Sequence, residues 1–599
     1  MLFLIALGIL LLFLTFIKLK KYYGNELKSA RNVFVVSSDA DLERAVMLLE
    51  EYDSNASTVT ISKGIPFGRW GVNLAIMFTP GKYNLKGKSL RMSYNSGLYG
   101  LGKRPEDVEI YNGRVAGCIY DGDCDLKTGG AFVNNREIQN IFFNTEGCKV
   151  ETSEPFVACV LWFTSFGCPL RRVNITGNLL LTPLRGSSAS GCLISSCNIS
   201  ETISSPGVGQ NQFTFVDCTA KSALVPADRT TFLFVRSPIS RFEDTCVPFE
   251  CKGIPRCSYS TRSVIGTSLI LSLPSLKTIE RPYLTQAGLV RPGRDISTRR
   301  VLTYASNLKD AQAALLVSES DVVLLPGSYE GSLILSQENS CLIGLGVPVL
   351  RGVERGPVLQ IMASNCTIAG FIVEAMGLSH DVLVKLGGNH TGTHIFDLTV
   401  RAVLNDSPST IVQQMVLFEH SACFCSNLWI WRADHDASTK VQFFPPHLDF
   451  WENMRVHGGL RLTGNDNIFI CLGIEHVMGP AIEVLGNDNH IYSLRVELPY
   501  GGKASAPYIC KGKRHKLYSS GIYSVTGGMD VGAFPAIVVH GQLPFFNNVI
   551  VRNSYFASLG GRNGFTHALE VNGNLSWPLP IDLQPDETSL VVLGAPQCK

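Results

Sequence analysis

Gly464-Asn465-Asp466-Asn467 returns residue for residue as Gly486-Asn487-Asp488-Asn489. The repeat falls after one 22-residue period, roughly the length of a single coil of a parallel β-helix. Asparagine and aspartate bond to their own backbone and tolerate turn geometry, so each tetrapeptide reads as the same corner of successive coils and not as a ligand set. Stacked coils lie about 4.8 Å apart, the strand spacing of any sheet. Glu475 and Glu497 follow the glycine of their respective tetrapeptides at the same distance, so they are expected as stacked neighbours on one face.

The same texture extends outward along the chain. Short β-branched and aromatic strands are punctuated by glycine and asparagine, as in Asn365-Cys366-Thr367-Ile368-Ala369-Gly370-Phe371-Ile372-Val373. A larger duplication overlies it. Asp39 to Tyr52 has helical apolar spacing, followed by the β-rich Ser57-Thr58-Val59-Thr60-Ile61, Pro80-Gly81-Lys82-Tyr83 and Tyr99-Gly100-Leu101-Gly102. The order recurs with Leu308 to Val317, Val322-Val323-Leu324-Leu325, Pro326-Gly327-Ser328-Tyr329 and Ile343-Gly344-Leu345-Gly346. A helix at the start of each copy would cover its exposed first rung. The pattern predicts an all-β protein of two tandem right-handed parallel β-helices, residues 33–218 and 307–599. A proline-interrupted linker is expected over residues 219–306.

Composition narrows the partners. Lys+Arg 52 against Asp+Glu 50 leaves a net charge of +2, which excludes nucleic acid as an electrostatically favoured partner. Met1 to Ile17 is a nearly unbroken apolar run followed by Lys18, Lys20 and Lys21, with no small-x-small cleavage pattern. It reads as an uncleaved transmembrane anchor within residues 1–21, the other reading being a poor secretory signal. Of the 18 cysteines, eleven fall between Cys118 and Cys257, a density suited to an oxidising compartment, as disulfides or as plain buried thiols. Sequons at Asn55, Asn174, Asn198, Asn365, Asn389, Asn405 and Asn574 agree with a glycosylating lumen. The bulk of the chain is therefore expected outside the cytoplasm, at a cell surface, in the secretory pathway or on a virion envelope. The lysines after the apolar run favour the opposite topology. No cysteine spacing suits zinc, and neither a metal nor an organic cofactor is required.

Two stacked carboxylates cannot both ionise cheaply, so one is expected to have a raised pKa and to serve as a general acid. Around them are His476, Arg495, Pro499 and Tyr500, and upstream lies Trp429-Ile430-Trp431-Arg432-Ala433-Asp434-His435-Asp436. Aromatic faces beside acids suit a sugar. The structural alternative is a solvated glutamate ladder, with Trp431 to Asp436 as a turn held by an arginine–aspartate bridge.

Trp429 to His435, Ile474-Glu475-His476 and Val496-Glu497-Leu498-Pro499-Tyr500, in this order and spacing, resemble the glycoside hydrolase family 55 clan of exo-β-1,3-glucanases, within the pectin-lyase-like superfamily. They look even more like secreted bacterial relatives labelled adenylyl cyclases. The resemblance runs from about Val33 to Pro544. It implies two β-helices side by side, substrate in the cleft between them, and inversion at the anomeric carbon. It also implies Glu497 as general acid, Glu475 as a second acidic residue, Tyr500 lining the sugar site, and Gln210 and Gln212 facing the cleft. Trp431, Arg432, Asp434, His435 and His476, from their place around the acids, are the further candidate substrate contacts. The base stays open, with Asp434 or Asp436 as candidates. Two departures stand out: Phe166 replaces an expected glutamine, and Gly501-Gly502 replace an acidic residue after Pro499-Tyr500.

The leading expectation is thus a carbohydrate-active protein, an inverting glucan hydrolase whose partner is a polysaccharide or glycan. The rival is a non-catalytic, membrane-anchored surface or viral envelope protein that binds glycans. Polysaccharide lyase ranks last, since no acidic calcium cluster is present.

Overall fold

The structure is a computed structural model that describes residues 32–57, 73–92, 95–116, 135–144, 158–162, 166–181, 191–205, 212–225, 231–244, 268–271, 278–292, 300–318, 320–403, 409–433, 453–499, 503–526, 532–555, 564–579 and 588–593. The apolar run Met1 to Ile17 and residues 58–61 lie outside these. Among the described residues no helix is long and apolar enough to cross a membrane.

Parallel strands dominate. One sheet of 18 strands runs from Val33–Val36 to Ser268–Leu271. The later part of the chain forms a 13-stranded and an 11-stranded sheet, beginning at Leu302–Ala305. Each strand of the larger sheet pairs with its counterpart one coil later, so Val322, Leu342, Ile368, Ile395, Cys425, Phe469 and Ile491 form one inward row. All seven are buried in a common core. The tetrapeptides are stacked corners, as expected. Asp466 and Asp488 take left-handed backbone conformations, and Asn467 and Asn489 form a buried ladder in which Asn489 Oδ1 accepts from the Asn467 N–H at 3.0 Å.

A second corner decides which side chains leave the core. Gly370, Asp397, Asn427, Cys471 and Ser493 have positive φ, and each is passed over in the pairing register of its strand. This residue resets the alternation of the strand, so both legs keep their apolar positions inward. Leu472, Ile474, Leu494 and Val496 therefore join the core, while Trp429, Trp431, Gly473, Glu475, Arg495 and Glu497 take the alternate positions of their strands.

The helix Leu308–Leu315 buries Ala311 and Leu315 against the first coil of the later stack, with Asn307 accepting from the Asp310 N–H as its N-cap. The other end closes differently, through antiparallel pairing of Phe545–Tyr555 with Thr588–Leu593 and of His567–Val571 with Asn574–Pro578.

The first stack continues into the segment expected as a linker. Thr219–Val225, Thr231–Val235, Ile239–Asp244 and Ser268–Leu271 are all strands of its sheet. Pro238 sits between two of them, where no ladder N–H is needed, so it punctuates the coil without ending the stack.

The two stacks meet along an apolar seam in which Phe166, Leu193, Val216 and Leu233 pack with Phe396, Trp429, Ile470 and Tyr492. A buried polar network crosses it. Asp397 accepts from Arg171 at 2.8 Å through both oxygens, from Arg281 at 2.9 Å and from Asn427 at 2.8 Å. Arg281 also pairs with Glu137, which accepts from the Tyr99 hydroxyl. Tyr99 in turn accepts from the Gly346 N–H at 2.8 Å.

The ten described cysteines are buried thiols, which for them selects the second of the two readings, plain buried thiols over disulfides. Cys192, Cys218, Cys366, Cys425 and Cys510 lie in the two coil interiors, where a thiol fills space as a small apolar group. Several donate locally instead of pairing, Cys218 to Val216 O at 3.4 Å and Cys423 to Ser421 O at 3.2 Å. Burial pushes the Cys423, Cys471 and Cys510 thiols up to about 12.

Candidate active site

Glu475 and Glu497 are register partners on the adjacent strands Ile468–Glu475 and His490–Glu497, as the 22-residue period requires. The row continues through Trp431 on one side and Tyr523 on the other. Both carboxylates are buried, at 6% and 4% exposure, so neither belongs to a solvated ladder. A row two residues earlier holds Trp429, Gly473 and Arg495 on the same face.

Arg495 connects the two acids. Its Nη2 lies 2.6 Å from Glu497 Oε2 and 3.4 Å from Glu475 Oε1. Glu475 also accepts from Trp429 Nε1 at 3.0 Å, and His476 Nε2 stands 3.8 Å from Glu497 Oε1. The expected rise in a carboxyl pKa is overturned at Glu497. Burial alone would raise it, but His476 and the Arg495 guanidinium hold the carboxyl well below the ordinary glutamate range. Arg495 is shifted upward: burial disfavours its charge, and the two carboxylates more than offset that. A cation between the acids replaces their mutual repulsion.

The first stack closes over this group. Phe166 stacks on Trp429, with centroids 6.2 Å apart, and Trp429 stacks on Trp431 at 4.6 Å. The Arg495 guanidinium lies 5.1 Å from the centre of the Phe166 ring. Gly473 makes room for the ring, since a Cβ there would meet Phe166 at 3.0 Å. Gln212 Nε2 donates to Leu494 O at 3.1 Å, tying the first stack to the strand that carries Arg495 and Glu497.

Of the residues named from sequence, Glu475, Glu497, Trp431, His476 and Gln212 are thus brought together at the seam. Arg432 is not. It follows Trp431 in an alternating strand and pairs in register with Ala402, an inward position, so it leaves on the opposite face. Tyr500, Gln210, Asp434, His435 and Asp436 lie outside the described residues. Arg495 and Trp429 were named as surroundings of the acids but given no role, although each stands two residues from a chosen site residue and period two already places it on that face. No group of three or more metal-ligating side chains occurs among the described residues.

Residues 300–497 match the model of the LAM55 pectate lyase-like domain. The chain is 22% identical over 438 residues to an exo-beta-1,3-glucanase of Streptomyces sp. (strain SirexAA-E / ActE). That match covers 67% of this chain and 63% of the relative, less than two thirds of its length. The structure is similar to that of sacteLam55A from Streptomyces sp. SirexAA-E, with a TM-score of 0.65 and 17% identity, over 94% of this chain and 98% of the other. A variant of sacteLam55A in complex with glucose superposes with a TM-score of 0.66 at the same identity and coverage. The resemblance to family 55-like proteins of the pectin-lyase-like superfamily therefore holds.

Proposed function

We propose that this chain is a carbohydrate-active protein of the glucan hydrolase type, acting on a β-1,3-linked polysaccharide through Glu497. The observation that carries the reading is the in-register pair of buried carboxylates beside stacked tryptophans, at the seam between two parallel stacks. The similarity to an exo-beta-1,3-glucanase supports it.

The geometry constrains the mechanism. Two oxygens that share one Arg495 nitrogen at 2.6 and 3.4 Å are closer than the about 6.5–9.5 Å that separates an inverting pair. As sheet neighbours they also approach a sugar from one side. Glu475 therefore acts as an electrostatic neighbour of Glu497, and the water-activating base comes from another segment, with Asp434 and Asp436 as candidates. Proton donation requires Glu497 to release Arg495 and take up a proton from solvent before it faces the glycosidic oxygen, because the Arg495-bound carboxyl is ionised.

A second reading is favoured by Phe166, whose ring packs over Arg495 where a hydrogen-bonding amide was expected. In that reading the protein binds glycan without turnover. With Met1 to Ile17 as an anchor it would do so at a membrane surface, which alkaline carbonate extraction of the native membrane fraction tests. Reducing-sugar release from laminarin separates the two. The hydrolase reading expects turnover that falls about 10²–10⁴-fold in Glu497→Gln. Turnover indifferent to that substitution removes Glu497 as the acid, and glycan retention with no turnover selects the binder.

A further inference from the structure

The stacked tetrapeptide corners border a cavity of about 910 Å³, well away from the paired acids. His490 and Glu497 sit at opposite ends of one strand, with on the order of 20 Å of chain between them at about 3.3 Å per residue and the Ser493 corner in between. Two columns line the cavity. Asp466, Asp488 and Arg514 are the left-handed corner residues of three successive coils, and His490, Lys516 and Phe545 pair in register across three strands.

Its charges cancel. Asp488 holds Arg514 in a two-pronged ion pair, with Arg514 Nε 2.6 Å from Asp488 Oδ1. The side chains of Asp466 and Lys516 are both exposed and make no hydrogen bond or ion pair among the described residues, which leaves one acceptor group and one donor group unused. Burial and the Lys516 charge hold His490 below its usual range, so its ring is neutral near pH 7. One wall is aromatic. Phe545 is 53% exposed and leans on Tyr518, at 5.6 Å between centroids, which stacks parallel to Tyr492 at 4.9 Å.

Charge balance decides the class of ligand. A phosphate or sulfate would face Asp466 and Asp488, and a metal cation would face Lys516 and Arg514. An uncharged polyol can use both signs of group for hydrogen bonds and lay its C–H face on the exposed ring, and the volume lies within the about 300–1,000 Å³ of ligand sites. We propose that this cavity is a second glycan-binding site, taking a segment of a neutral polysaccharide chain independently of chemistry at Glu497.

Affinity electrophoresis of the full chain tests this, in gels containing laminarin or hydroxyethyl cellulose as neutral probes and dextran sulfate as the anionic one. The expected result is retardation by a neutral polymer that Phe545→Ala weakens about three- to tenfold, with unchanged melting temperature and unchanged hydrolysis of laminaritriose. Asp466→Asn, at an exposed corner, carries the same expectation should Phe545→Ala unfold the end of the stack. No retardation by either neutral polymer, retardation by dextran sulfate alone, or retardation indifferent to both substitutions overturns the proposal. Neutral retardation lost in the variants without any sugar release supports this site while ending the hydrolase reading. Sugar release with variant-insensitive retardation does the reverse.

Discussion

Replacing Asp397 with alanine should loosen the junction between the two stacks more than any other single change at the seam. The carboxylate is buried, accepts four hydrogen bonds, and pairs with both Arg171 and Arg281. Removing one partner of a buried pair costs about 3–5 kcal/mol, because the remaining charge is left uncompensated. Residue 397 also has φ of 52°, a conformation that aspartate and asparagine tolerate and that costs alanine about 1 kcal/mol. Asp397→Ala is therefore expected to lose about 4–6 kcal/mol. Asp397→Asn keeps the volume, one acceptor and the backbone preference, so about 1.5–3 kcal/mol is expected from loss of charge-assisted hydrogen bonds. Urea unfolding followed by the fluorescence of buried Trp162, Trp429 and Trp431 measures both. Adding Arg171→Met to Asp397→Ala should recover part of the loss, since it removes the charge that Asp397 compensated, whereas Arg281 keeps Glu137 as its partner. A loss below about 1 kcal/mol in Asp397→Ala, or an asparagine variant as damaging as the alanine one, would refute the account of the junction.

Asn467→Ala leaves the Cys423 N–H without its Asn467 Oδ1 acceptor and should cost about 1–3 kcal/mol in urea, whereas exposed Asn465→Ala should cost less. Glu374, Asp397 and Glu497 all have folded pKa values below the ordinary carboxylate range, set against burial by neighbouring arginines and, at Glu497, also by His476. Their contribution to stability is complete above about pH 4.3 and is lost as pH falls through the folded values, so Asp397→Asn should flatten the acid limb of a stability–pH curve. The ten described thiols should resist iodoacetamide in the native protein and react in denaturant, which peptide mass mapping resolves; native labelling of Cys423, Cys471 or Cys510 would contradict their burial.

The sequence by itself determined the coil. Backbone sterics and the inside–outside alternation act over a few residues, so a repeated Gly-Asn-Asp-Asn corner and its period were enough to stack Glu475 on Glu497, and the recurring helix, Pro-Gly-x-Tyr and Gly-Leu-Gly signatures pointed to the duplication. The face shared by Arg495, Trp429 and the acids was legible in the same way. What only the tertiary structure decided was the charge state and enclosure of that face. Whether a carboxylate is protonated depends on which groups share its few ångströms of space, and here Arg495 and His476 settle Glu497 as an anion while Phe166, from a distant coil, covers the arginine. The choice between disulfides and buried thiols, and the Asp397 junction, were illegible for the same reason. A thiol's or an aspartate's partner is fixed by how long segments pack across a seam, and that packing free energy is a sum over residues hundreds of positions apart.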